Sequence, residues 1–128
     1  MKDFEIFLKD KDSQELEYAS CRAKNLAEEI IVGWTDQTDL DGFEHTLTAH
    51  ALEYYGEAIE DGLTETHHDE FARNTITLCC RTLSWEMLDG ADSKLGYDAT
   101  VLAARALKAF SEYLRGRLDE PPAPALAA

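Results

Sequence analysis

A chain of 128 residues is one domain by length, and with 45% of its residues hydrophobic it is long enough to bury roughly two thirds of its unfolded surface in one core. Its 26 acidic residues against 12 basic ones give a formal net charge of −14, which argues against direct nucleic-acid binding, because phosphate affinity comes from Lys and Arg. Cys21, Cys79 and Cys80 suit neither a disulfide framework nor a zinc site, and no run resembles a leader or the ~18 apolar residues of a membrane span; the expected compartment is the reducing cytoplasm.

In residues 1–11, Phe4, Ile6 and Leu8 alternate as an edge strand would, while Phe4, Phe7 and Leu8 also fit one helical turn. The segment is read as an arm that packs on the body. From Asp12 to Gly33, Leu16, Ala19, Ala23, Leu26, Ala27, Ile30 and Trp34 recur at spacings of three and four, and Asp12 and Glu15 are placed for a capping box. The polar TDQTDLDG breaks that pattern. Phe43, Leu47, Ala51, Tyr54 and Ala58 then form a second stripe that stops at Asp61-Gly62, with Glu53, Glu57 and Glu60 on the opposite side.

Thr66 is the expected start of a third helix, with Asp69 answering the cap. Ala72, Ile76, Cys79, Leu83 and Met87 mark one of its faces and Phe71, Leu78 and Trp85 another, so it reads as the central helix. A fourth helix carries Leu102, Ala106, Phe110, Tyr113 and Leu114 inward and Lys108, Glu112 and Arg115 outward. The glycines of AEEIIVG, GEAIEDG, SWEMLDG and SEYLRG read as helix ends. The expectation is an all-α fold, a four-helix bundle-like single domain over residues 1–119 with helices at about 12–33, 42–61, 66–89 and 97–119, and a disordered Pro/Ala-rich tail at 120–128.

Charge is unevenly placed. The 48 residues between Lys24 and Arg73 contain no Lys or Arg, where an even scatter of the basic residues would put about 4.5. They contain 13 acids, so the window sums to −13 and the other 80 residues, 13 acids against 12 bases, to −1. Like charges a helical turn apart repel by a few tenths of a kcal/mol per pair, and no neighbouring Lys in the window relieves them. An unrelieved negative surface steers a basic partner and raises association rates. The candidate partner-binding residues are Asp39, Asp41, Glu44, Glu53, Glu57, Glu60, Asp61, Glu65, Asp69 and Glu70.

Catalytic and cofactor signals are weak by comparison. His45, His50, His67 and His68 all lie in the acidic window, and Glu65-x-x-His68 matches one element of a carboxylate-bridged di-iron bundle, which needs two such elements and two more glutamates. The residues are read as loop and cap groups, with no metal and no cofactor. There is no Gly-rich phosphate loop, GxSxG elbow or His-Glu-x-x-His, so no enzyme is expected. Tyr54-Tyr55 in its acidic setting resembles the tyrosine pair of the colicin-type immunity proteins, small acidic four-helix proteins that bind a nuclease through carboxylates and those tyrosines. That pair leads into a proline there, whereas Gly56 and Glu57 continue the helix here, and the resemblance covers two residues.

The expected role is therefore an acidic interaction module that inhibits a basic, nucleic-acid-binding protein by occluding its surface. The setting would be a phage protein directed at a CRISPR effector or restriction nuclease, or an immunity protein or antitoxin for a nuclease. The alternative is a small acidic adaptor or export chaperone that holds its client through apolar surface; a carboxylate and histidine metal protein is the third.

Overall fold

A computed structural model describes residues 11–33, 37–62, 69–90 and 94–119. They form α1 (Ser13–Val32), β1 (Gln37–Asp39), α2 (Gly42–Glu60), α3 (Glu70–Leu88), β2 (Lys94–Gly96) and α4 (Tyr97–Asp119). The chain is all-α in class, with four helices packed against one another, as the periodicity implies. Residues 1–10 of the expected arm, and the tail, lie outside the described residues. No helix among those described is long and apolar enough to cross a membrane.

The helix starts follow from local chemistry. Asp12 accepts from the Glu15 amide at 2.9 Å, half of the expected box, while Glu15 pairs with Lys11. The complete box is at α2, where Asp41 accepts from the Glu44 amide and Glu44 Oε1 accepts from the Asp41 amide. Asp69 is itself the cap of α3, accepting from the Ala72 amide at 2.7 Å, so α3 starts at Glu70; the expected start at Thr66 lies outside the described residues. Gly62 and Gly90 take positive φ just past α2 and α3, where a Cβ would be strained. Gly33 has an ordinary φ of −96°, and Gly116 lies inside α4 instead of ending it.

Two three-residue strands are an addition to the expected all-helical pattern. β1 and β2 pair antiparallel, Gln37 with Gly96, Thr38 with Leu95 and Asp39 with Lys94, and the ribbon buries Leu40 and Leu95. Three residues are too few for an alternation to register in the sequence.

Across the fold the helices follow the order α1, α4, α2, α3. Reciprocal hydrogen bonds join α1 to α4: the Ser20 hydroxyl donates to the Ser111 carbonyl at 3.0 Å and the Ser111 hydroxyl to the Ser20 carbonyl at 2.8 Å. Phe110 of α4, fully buried, meets Tyr54 of α2 at 5.7 Å between ring centroids. The α2–α3 pair is antiparallel, since His45 bonds to Met87, Ser84 to the Ala49 carbonyl, and Gly56 lies against Cys80.

This order corrects the expectation that α3 is central. The central helix is α2, covered by α3 on one side and α4 on the other, and its buried residues include Leu47, Ala49, Ala51, Leu52, Gly56 and Ile59. On α3 the covered face is centred on Thr77, Cys80, Ser84 and Met87; Ile76, Leu83 and Met87 of the expected stripe pack on the core, while Cys79 from that stripe is exposed. The reason is the close approach of the two helices. A Cβ on Gly56 would lie 3.0 Å from the Cys80 Cβ, and only small side chains fit that contact.

Thr48 of α2 is fully buried, and its hydroxyl has no hydrogen-bond partner among the described residues. An unmade hydrogen bond in an apolar core costs about 1–3 kcal/mol. The near-isosteric Thr48→Val is therefore expected to stabilise the fold by about 1 kcal/mol in urea denaturation. An unchanged or lower midpoint would show that the hydroxyl is satisfied in solution.

Candidate partner-binding surface

The nine candidate carboxylates among the described residues are distributed along α2, about 28 Å long, and the segments that flank it. At its N-terminal end Asp39 is opposite Lys94 in the ribbon, Asp41 caps the helix, and Glu44 answers the cap with one oxygen and meets Arg22 with the other. At its C-terminal end Glu60 pairs with Arg81 and Asp61 is exposed; the antiparallel hairpin brings Asp69, the cap of α3, and exposed Glu70 to the same end. Glu53 and Glu57, midway, are half-buried, and Glu53 Oε2 is closed off from solvent. Glu65 lies outside the described residues.

The structure thus does not gather the nine described carboxylates into one open face. It also corrects the expectation that their charge is unrelieved: Arg22 precedes the 48-residue window and Arg81 follows it, and folding lays both onto it, on Glu44 and Glu60. Arg22 further contacts Glu29 at 3.4 Å. Four of the ten, Asp41, Glu44, Glu60 and Asp69, have a structural duty as cap or ion-pair partner. Asp61 and Glu70 are exposed at the same end of the hairpin; Asp61 ends α2 through its backbone N–H, which donates to the Glu57 carbonyl at 2.9 Å, and neither side chain serves as a cap or ion-pair partner among the described residues.

The histidines are built into the helix packing. His45 Nε2 donates to the Met87 carbonyl at 2.8 Å, tying the start of α2 to the end of α3, and His50 is buried. His67 and His68 lie outside the described residues, and no group of three or more His, Cys, Asp or Glu able to hold a metal occurs among those described. Tyr54 and Tyr55 are half-buried; Tyr54 packs on Tyr113 with ring centroids 4.5 Å apart, and burial pushes both phenols above their usual range. The pair packs, half-buried, against the core.

Between α1 and α4 runs a groove of about 690 Å³ whose walls include Lys24, Lys108, Arg115, Glu28, Glu112 and Cys21. Arg115 Nη2 lies 3.7 Å from the Cys21 sulfur, and no histidine among the described residues lines the groove.

A feature of another kind lies on the outer side of α3. Phe71 is 80% exposed, Leu78 65% and Trp85 68%, at spacings of seven residues that place them in one row. The sequence shows the row but assigns it to the core, because periodicity does not say which of two apolar stripes is covered. Comparison with protein-family models, with curated proteins and with solved structures finds no match to this chain.

Proposed function

We propose that the chain is a non-enzymatic protein-interaction module that occupies the basic, nucleic-acid-binding surface of another protein. The observation that supports this is the −13 window, which after its ion pairs with Arg22 and Arg81 still presents Asp61 and Glu70 at one end of the α2–α3 hairpin and Asp39 at the other. Such a field attracts cationic surfaces and repels nucleic acid, so inhibition follows from occlusion. A nuclease or the nucleic-acid-binding subunit of a CRISPR effector has the required surface. The adaptor or chaperone reading has its own support in the uncovered apolar row on α3.

Folding assigns structural duties to four of the acids, so the informative variant is Asp61→Lys with Glu70→Lys. It should keep the parent's helical circular dichroism and unfolding midpoint, yet slow association with a captured nucleic-acid-binding partner by about tenfold at low salt, with the difference shrinking as salt is added. The captured partner should release its nucleic acid as the chain binds. A partner that binds the chain and nucleic acid together, with an affinity that survives salt, would favour the adaptor instead.

A further inference from the structure

We infer that the outer face of α3 is a docking strip for an amphipathic helix whose apolar residues are flanked by Lys or Arg. The inference deepens the proposed interaction role and rests on it for the basic character of the partner. Phe71, Leu78 and Trp85 extend over about 21 Å of helix. Asn74, Thr75 and Thr82, exposed between them, carry no charge, and Arg81 is turned to Glu60. In a chain of net charge −14 this is an uncharged strip with large aromatic ends, and Trp and Phe in such positions are the residues that supply binding energy when desolvated.

Charge decides the occupant. The strip ends in exposed carboxylates on both sides, Asp69 and Glu70 before Phe71, and Glu86 and Asp89 after Trp85. A second copy meets like charge whichever way it lies. Antiparallel pairing centred on Leu78 places Glu70 opposite Glu86, parallel pairing places each carboxylate opposite itself, and each copy brings its own net charge of −14. A partner helix with apolar residues recurring every three to four positions and cations on its flanks satisfies both the strip and its ends. α3 is held by α2 on the opposite side, so docking adds a neighbour without displacing one.

The test uses the full chain and labelled synthetic helices of about 18 residues: a leucine stripe flanked by lysines, the same stripe flanked by glutamates, and a scrambled lysine peptide. The leucine–lysine helix should bind, measured by fluorescence anisotropy, and the other two should not. Leu78→Ser with Trp85→Ser, both exposed and therefore compatible with folding, should weaken that binding by about tenfold or more.

Equal binding by this variant and the parent overturns the inference. If the Asp61→Lys and Glu70→Lys variant loses binding at the same time, the acidic reading survives while the strip does not. If the serine variant loses binding but the glutamate-flanked helix binds as well as the lysine one, the strip is a purely apolar dock, and both the basic partner and the acidic reading fall. A parent chain that sediments as a dimer, and a serine variant that sediments as a monomer, would identify the occupant as a second copy and overturn the inference as stated.

Discussion

Gly56→Leu should lower the stability of the fold by more than about 3 kcal/mol and detach α3 from α2. A Cβ at this position would lie 3.0 Å from the Cys80 Cβ, 3.5 Å from the Thr77 carbonyl oxygen and 3.8 Å from Arg81 Cγ. The first two neighbours belong to or adjoin the α3 backbone, so they yield only if the helix moves. Gly56→Ala provides the sign test. Alanine in a helix interior gains about 1 kcal/mol over glycine, whereas overpacking a tight core costs about 1–3 kcal/mol. A net loss of about 1 kcal/mol is expected for the alanine variant, and a gain would mean that the helices are further apart than described. Native-state hydrogen exchange should show α3 amides losing protection in the leucine variant while those facing the α1–α4 contact, around Ser20 and Ser111, keep theirs.

The same contact explains how far the sequence could be read. Three of the four helices begin within a residue of their expected starts, because caps such as Asp12 and Asp41 act within their own turn. The order in which the helices pack was not legible. Hydrophobicity favours Phe71, Leu78 and Trp85 for the core, yet the covered face of α3 carries Thr77, Cys80 and Ser84, chosen by size for a close approach. The signal for this lay in α2, where Ala49, Ala51, Gly56 and Ala58 interleave with Leu47, Leu52 and Ile59 around much of the helix, the composition of an element covered on two sides. The acidic block was legible as a sum and not as a surface. A window along the chain contains no information about Arg22 and Arg81, which reach Glu44 and Glu60 only after folding.

Raising the pH from 8 to about 10 should cost the fold about 1 kcal/mol through Cys80, and the loss should grow to a few kcal/mol near pH 12. Burial pushes this fully covered thiol from its ordinary value of 9.0 up to about 12, with the adjacent Cys79 acting in the same direction. Between those values the unfolded chain has released the proton and the native chain still holds it. Stability is then complete below pH 9, declines as pH rises, and stops declining once the native thiol ionises. Tyr54 and Tyr55, both raised by burial, add losses of the same sign as the pH nears and passes their unfolded value of 10.0, so the cysteine dominates only in the lower part of the window, and Cys80→Ala separates its share from theirs.

Urea denaturation across that window should show a falling midpoint for the parent and a distinctly shallower fall for Cys80→Ala, whatever the baseline stability of the variant. A parallel fall in both proteins would assign the effect to other groups. Cys80 faces Gly56, so its ionisation acts on the contact that holds α3 to α2. The α3 amides should therefore exchange by local opening at alkaline pH before the rest of the fold is lost.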